Sequence, residues 1–112
     1  LFRSPSVRPT LRTRKASTRL TITEGALLGT VVPLGTSAIT IGRAPDATVV
    51  LDDDFVSTHH ARLMPRGSHW IVEDLGSTNG TWIDRERVTA PTVLQPGMPL
   101  RIGRTTLEIG HE

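Results

Sequence analysis

Short runs of β-forming residues, each ended by Gly, Pro, Asp or Asn, divide the chain from Arg19 onward. No window among them has helical spacing long enough to predict a helix. Leu20 and Ile22 alternate with polar residues, as side chains do in half-buried antiparallel strands. Many short strands at close spacing predict an all-β sandwich or barrel. The runs that we predict as strands are Arg19–Thr23, Thr30–Leu34, Ala38–Gly42, Val49–Leu51, Ala61–Met64, Trp70–Glu73, Thr81–Ile83, Pro99–Ile102 and Thr105–Ile109.

Charge separates the chain into two parts. Residues 1–19 contain six of the 13 Lys and Arg residues and no acid, whereas the remainder contains seven basic and all 11 acidic residues. Residues 1–18 are rich in Arg, Ser, Thr and Pro and have no apolar periodicity, so we predict a disordered basic arm there. We predict that residues 19–110 form one folded domain. Because the basic charge belongs to the arm, it does not indicate nucleic-acid binding on that domain.

The arm leaves several functions open. An accessible basic segment can act as a linker or contact nucleic acid or an acidic membrane. Thr10, Ser17 and Thr18 also lie near basic residues, which suits phosphorylation by a protein kinase. We take Thr10 and Thr18 as the candidate phosphorylation sites.

The absence of cysteine excludes disulfides and thiolate metal sites, and it fits a reducing compartment. No apolar run approaches the roughly 20 residues that a transmembrane helix needs. We therefore expect a cytoplasmic protein without a membrane segment in this chain. The chain begins with Leu1 rather than Met, so we expect a fragment or processed product, and membrane association through other segments stays open.

A turn dense in small polar residues, residues 74–81, follows the run His69–Glu73 and precedes the run Thr81–Ile83. It offers hydroxyls, an amide side chain and backbone N–H groups at one edge of a sheet. Asn79-Gly80 within it predicts a hairpin between the two runs, because both residues accept positive φ. Gly25-Ala26 and Gly35-Thr36 are also predicted as hairpin turns, because each contains a glycine between two predicted strands.

Two other loops contain residues that suit an anion. Arg43 follows Gly42 at the end of a predicted strand, and its planar guanidinium suits a carboxylate or a phosphate. Ser57 and Thr58 lie in the loop before the strand that begins at Ala61. His60 is near Ser57, but there is no strand–elbow–helix context for a hydrolase, so we interpret His60 as a residue that holds the loop together.

Metal binding is not supported by the histidines or the acidic residues. His59 and His60 have no further ligands at usable spacing. The run Asp52–Asp54 lacks the alternating ligands, central Gly and terminal Glu of a calcium loop, so it is interpreted as a solvated turn. Its negative charge predicts that acidic ligands are disfavoured near it. Trp70 and Trp82 fall within strands, where packing in the core is expected.

Taken together, the loop motifs resemble those of the forkhead-associated (FHA) domain. The motifs are Gly42-Arg43, then Ser57-x-x-His60, then Ser77-Thr78-Asn79-Gly80 within the phrase Asp-Leu-Gly-Ser-Thr-Asn-Gly-Thr. The similarity runs from about Leu20 to Ile109 and is greatest to bacterial members that act alongside Ser/Thr protein kinases. It implies an eleven-stranded β-sandwich whose loops at one end bind phosphothreonine peptides.

The resemblance also implies a role for each residue at the motif positions. Arg43 would hold the phosphate, and Ser57 would donate its hydroxyl and backbone N–H. Thr58 would add a contact from the same loop, and Thr78 would line the pocket. Asn79 would bond the backbone of the bound peptide. The residues implied to be architectural are Gly42, His60 and Gly80.

The function implied is an adaptor module that binds phosphothreonine-containing proteins, among them Ser/Thr kinases or their substrates. No cofactor, no metal and no enzymatic turnover are expected, since no group is placed to attack or protonate a substrate. Two alternatives stay open. A phosphorylated Thr10 or Thr18 could occupy the domain's own pocket at high effective concentration. The basic arm could instead contact nucleic acid, with the sandwich as its scaffold.

Overall fold

Eleven short strands make up the secondary structure of a computed structural model of the chain, which describes residues 18–110. It contains no helix in that range, and hence none long and apolar enough to cross a membrane. The strands are β1 (Arg19–Glu24), β2 (Val31–Pro33), β3 (Ile39–Gly42), β4 (Val49–Val50), β5 (Ala61–Arg66), β6 (His69–Asp74), β7 (Thr81–Ile83), β8 (Glu86–Arg87), β9 (Thr92–Leu94), β10 (Leu100–Ile102) and β11 (Thr105–Gly110).

The strands form two sheets that face each other across one core. One sheet has the order β2-β1-β11-β10-β7-β8, and the other has the order β4-β3-β5-β6-β9. Strands β3 and β4 pair in parallel, and every other pair within the described residues is antiparallel. The predicted all-β sandwich of eleven strands is therefore confirmed.

Alternating apolar side chains fill the space between the sheets. Leu20 and Ile22 of β1 are fully buried, and their neighbours in the strand are not. On the neighbouring strand β11, the buried Ile109 and Leu107 pair with Leu20 and Ile22 respectively. Each buried Leu or Ile contributes about 1.5–3 kcal/mol of transfer free energy. This core holds the strand ends in place, and the connecting loops extend from them.

The predicted hairpin at Asn79-Gly80 is wrong. Strand β6 pairs with β5 and β9, whereas β7 pairs with β10 and β8 in the opposite sheet. Residues 75–80 therefore cross from one sheet to the other. Gly80 has a φ of +89°, but Asn79 does not adopt a positive φ, so the turn lacks the backbone of an Asn-Gly hairpin. Gly35-Thr36 likewise connects strands of different sheets, whereas Gly25 lies in a true turn between β1 and β2.

Two strands and one aromatic side chain differ from the sequence interpretation. Strands β8 and β9 were not predicted, because they are only two and three residues long and mostly exposed. Trp70 is buried in the core as expected, with 8% of its surface exposed. Trp82 is only half-buried, since Thr81 and Ile83 on either side of it face the core and it faces outward. The expectation of core packing is wrong for Trp82.

Most predictions for the arm lie outside the described residues. This applies to the disorder of residues 1–17 and to phosphorylation at Thr10. Thr18 is described, and it is half-buried, with its carbonyl accepting a hydrogen bond from Leu34 N–H at 2.9 Å. Its phosphorylation stays a prediction.

Candidate functional site

Gly42 ends β3 and Arg43 follows it, and both lie against the backbone of the loop between β4 and β5. Arg43 N–H donates to the Ser57 carbonyl at 3.0 Å, and Ala44 N–H donates to the Thr58 carbonyl at 3.1 Å. A Cβ on Gly42 would lie 2.2 Å from the Thr58 carbonyl oxygen, which no real side chain tolerates. Glycine is thus required at position 42 by the close approach of two backbones.

His60 connects this loop to the one between β6 and β7. Its ring is fully buried. Nδ1 accepts a hydrogen bond from Ser57 N–H at 3.0 Å, so the ring hydrogen is on Nε2, which donates to the Gly80 carbonyl at 2.8 Å. His60 therefore holds two loops in register through one side chain, as the sequence interpretation expected of it.

Ser57 uses its polar groups differently from what the resemblance implies. Its backbone N–H is taken by His60, so the expected donation of this N–H to a phosphate is wrong. Its Oγ accepts a hydrogen bond from Thr78 N–H at 3.1 Å. Within residues 18–110 nothing accepts the hydroxyl hydrogen, which remains available to a ligand.

Asn79 lies where the two loops meet. Its Nδ2 donates to the Phe55 carbonyl at 3.0 Å, and its own carbonyl accepts from the Trp82 indole Nε1–H at 3.2 Å. No hydrogen bond to its side-chain oxygen occurs in the described part of the chain. That oxygen can therefore accept from the backbone N–H of a bound segment.

All five residues predicted to contact a ligand line one cleft of about 540 Å³ at this end of the sandwich: Arg43, Ser57, Thr58, Thr78 and Asn79. Arg43 is the sole Lys or Arg among the lining residues. Its side chain is exposed, and no group in residues 18–110 accepts a hydrogen bond from its guanidinium or forms an ion pair with it. The hydroxyls of Thr58 and Thr78 are likewise unpaired within that range. The cleft therefore presents one cation and several donors, with Asp54 as the one carboxylate among its lining residues. The cation and the donors suit an anion with several oxygens.

Comparison with protein families identifies this arrangement. The family model described as "FHA domain" matches residues 39–103, which include all three loops. The chain belongs to the FHA domain family. FHA domains are typically binding modules, and the cleft of this chain contains a cation and several hydrogen-bond donors.

The relatives of this FHA domain include proteins from mycobacteria. It is 53% identical to the FHA domain-containing protein FhaB of Mycolicibacterium smegmatis over 104 residues, which cover 93% of this chain and 67% of FhaB. It is also 53% identical to FhaB of Mycobacterium tuberculosis over 96 residues, which cover 86% of this chain and 62% of that protein. The chain thus spans about two thirds of the length of these relatives.

Solved FHA structures share the fold. One, from a study of phosphothreonine-dependent FHA domain interactions, has a TM-score of 0.76 and 29% identity, covering 86% of this chain and 97% of the other. Another, the FhaA FHA domain complexed with the intracellular domain of Rv3910, has a TM-score of 0.75 and 30% identity. The matched region covers 84% of this chain and 100% of the FhaA chain.

Asp74 is a residue of the site that the sequence analysis missed. Its Oδ2 accepts from the N–H groups of Gly76 and Ser77, and its Oδ1 accepts from the hydroxyls of Ser77 and Thr81 at 2.5 and 2.7 Å. Burial raises the pKa of the Asp74 carboxyl, but these four hydrogen bonds outweigh it and hold the pKa below the ordinary 3.8. The signal was an Asp two residues before Gly76-Ser77, a spacing that favours an Asx turn.

Asp53 was interpreted as part of a solvated turn, yet it connects the loop between β4 and β5 to the turn between β10 and β11. Its carboxylate accepts from Phe55 N–H at 2.9 Å and from Arg104 N–H, between β10 and β11, at 2.8 Å. Burial raises the pKa of Asp53, but these hydrogen bonds and the charges of Arg104 and Arg43 lower it below 3.8. No cluster of three His, Asp or Glu residues in the described range could hold a metal ion.

Proposed function

We propose that this FHA domain binds proteins phosphorylated on threonine and acts as an adaptor in Ser/Thr kinase signalling. The observation that supports the proposal most is the cleft in which Arg43, unpaired and exposed, lies beside the hydroxyls of Ser57, Thr58 and Thr78. Phosphothreonine has between one and two negative charges near neutral pH and three acceptor oxygens. A guanidinium and hydroxyls from separate loops satisfy that demand without any chemical reaction.

Each residue then has a distinct role in binding. Arg43 neutralises the phosphate, the Ser57 hydroxyl donates to a phosphate oxygen, and Thr58 adds a second hydroxyl. Thr78 lines the pocket around the phosphothreonine, and Asn79 bonds the peptide backbone. Gly42, His60 and Gly80 support these residues from beneath and do not contact the ligand.

The partners and the cellular setting follow from the same proposal. Phosphothreonine-containing proteins, including Ser/Thr kinases and their substrates, are the partners. The domain would act in the cytoplasm, since the similar FhaA domain was solved with the intracellular domain of Rv3910. The domain would have no turnover of its own and would need no cofactor.

Calorimetric titration tests this function. Matched peptide pools that contain phosphothreonine, phosphoserine or unphosphorylated threonine are compared on the same protein. Only the first two should bind, and phosphoserine should bind about fourfold more weakly if the missing methyl group, worth about 0.8 kcal/mol, is buried. Equal binding of all three pools, or none of any, would contradict the proposal.

The role of Arg43 is tested by Arg43→Ala with Arg66→Ala as its control. Loss of the charge-assisted hydrogen bonds should cost about 2–3 kcal/mol, or roughly 30- to 150-fold in affinity. Arg66 is an exposed arginine at the end of β5 and does not line the cleft. Thermal unfolding of both variants should match the unmodified domain, which separates a binding defect from a folding defect.

A further inference from the structure

A groove of about 460 Å³ lies next to the phosphothreonine cleft on the outer side of the six-stranded sheet. Phe55 and Asn79 line both the cleft and the groove, so the two are continuous. The groove is otherwise lined by Trp82, Arg101 and Arg104 and by two glycines, Gly80 and Gly103. No acidic residue lines it.

Arginines cover the aromatic rings of this groove. Arg87, Trp82 and Arg101 are directly opposite one another on β8, β7 and β10, so their side chains share one face of the sheet. The guanidinium carbons of Arg87 and Arg101 lie 5.9 and 5.5 Å from the centre of the Trp82 ring. The aromatic surface therefore supports the two cations and leaves their N–H groups to other partners.

The third arginine is placed in the same way. The guanidinium carbon of Arg104 lies 4.5 Å from the centre of the Phe55 ring, and 43% of the Phe55 surface is exposed. Asp53 fixes the backbone beneath it by accepting from Arg104 N–H. The positions of Phe55 and Arg104 are thus set by hydrogen bonds within the protein before any ligand arrives.

These arginines have no ion-pair partner in the described part of the chain, where the one ion pair joins Arg62 to Glu73. Glu24, Asp84 and Glu108 line a separate depression on the other side of Arg101, and none of them forms an ion pair with it. A groove with cations on aromatic rings and no acid is complementary to a negatively charged segment.

We propose that this groove binds acidic residues of the same peptide whose phosphothreonine occupies the cleft, so that the preferred ligand is a phosphothreonine flanked by Asp or Glu. The inference rests on the proposed function. It reverses the expectation drawn from Asp52–Asp54, because none of these three residues lines the groove, whereas Arg101 and Arg104 do, and Asp54 lines the cleft instead. It also disfavours the domain's own arm as an occupant, since the arm is basic.

The test is a calorimetric titration with two peptides that share one phosphothreonine core. One peptide has Asp and Glu on both sides of the core, and the other has Asn and Gln at the same positions. The acidic peptide should bind about fivefold more tightly, the size expected for one or two solvent-exposed charge pairs. The difference should shrink as salt is raised, because exposed charges are screened.

The variant Arg101→Gln/Arg104→Gln assigns that difference to the groove. Gln keeps two of the three methylene groups of Arg, and Asp53 still accepts from the backbone N–H of residue 104, so the variant should fold. The amide peptide should bind it as tightly as it binds the unmodified domain. The preference for the acidic peptide should be lost in this variant and kept in Arg66→Gln. Equal binding of the two peptides, or a preference that survives Arg101→Gln/Arg104→Gln, would overturn the groove assignment alone. Failure of both phosphopeptides would overturn the proposed function as well.

The two tryptophan indoles provide a direct readout by NMR. The acidic peptide should shift the Nε1–H signal of Trp82, which lines the groove, and leave that of the buried Trp70 unchanged. The amide peptide also contacts Asn79, whose carbonyl accepts from Trp82 Nε1–H, so it should shift Trp82 less than the acidic peptide does. The additional shift with the acidic peptide is the readout, and it should be lost in Arg101→Gln/Arg104→Gln. A single-stranded oligonucleotide serves as the competing ligand, because stacked aromatics with arginines also suit nucleic acid. If it binds more tightly than the acidic phosphopeptide and shifts Trp82, the acidic-peptide assignment is wrong.

Discussion

Adding one methyl group at Gly42 should damage the whole binding end of the domain. The new Cβ would lie 2.2 Å from the Thr58 carbonyl oxygen, 3.0 Å from its carbon and 3.1 Å from the Ser57 carbonyl oxygen. All three are backbone atoms, so no side-chain rotation relieves the overlap. Gly42 has no left-handed φ, and the effect of Gly42→Ala is therefore steric only.

The loss of unfolding free energy in Gly42→Ala can be worked out from the displacement of the loop between β4 and β5. Relieving the overlap pushes the loop away by about 1 Å, which breaks the hydrogen bonds from Arg43 and Ala44 to the loop carbonyls. Two such bonds and the residual overpacking together amount to about 2–4 kcal/mol of unfolding free energy. For a domain of this size that corresponds to a fall in melting temperature of roughly 10–25 °C. Phosphopeptide affinity should fall more than tenfold, because Ser57 and Thr58 leave their positions.

Gly35→Ala is the matched control. A Cβ at Gly35 meets no atom within 4 Å, and its φ is ordinary, so the variant should be as stable as the unmodified domain or up to about 1 kcal/mol more stable. Urea unfolding of both variants gives the unfolding free energy, and calorimetric titration gives the phosphopeptide affinity. If Gly42→Ala unfolds within about 0.5 kcal/mol of Gly35→Ala and binds equally well, the close contact between the two backbones is not needed.

Two further variants test the hydrogen bonds beneath the site. His60→Ala leaves Ser57 N–H and the Gly80 carbonyl without their partner, so urea unfolding should show a loss of about 2–4 kcal/mol, and a loss below 1 kcal/mol would contradict this role. Asp74→Asn should lower the unfolding free energy at pH 7 by about 1–3 kcal/mol. Because folding lowers the pKa of Asp74, its contribution is complete above the unfolded value near 3.8 and is lost as pH falls through the folded pKa. Urea unfolding at pH 7 and pH 3 should therefore show a smaller acid-induced loss for Asp74→Asn than for the unmodified domain.

The sequence predicted the strands that alternate and missed those that do not. Leu20 and Ile22 alternate with polar residues over six positions, and such a pattern identifies a half-buried strand. Strand β8 offers only Glu86 and Arg87, both exposed, so no periodicity can develop in it. Its pairing with β7 is decided by the turn at Asp84, which has a φ of +57°, and by the register that this turn imposes.

The error at Asn79-Gly80 shows what local sequence cannot decide. The dipeptide predicts a tight turn, and Gly80 does adopt a positive φ there. The dipeptide does not decide whether the two strands that flank it pair with each other. That depends on strands distant in sequence, since β6 pairs with β5 and β9, and β7 pairs with β10. The same limit explains Ser57 N–H, whose partner His60 could be assigned only once the loop's backbone was known.

The loops are fixed by hydrogen bonds within the protein, and the groups that would contact phosphate are the ones left unpaired. His60 and Asp74 consume backbone donors and acceptors beneath the cleft, whereas the Arg43 guanidinium and the Ser57 hydroxyl hydrogen have no partner in residues 18–110. A site already ordered in this way spends little binding free energy on ordering its own loops. Scaffold variants should therefore lower stability and affinity together, whereas Arg43→Ala should lower affinity alone. A variant such as His60→Ala that lost stability without losing affinity would show that the peptide can order the loops by itself.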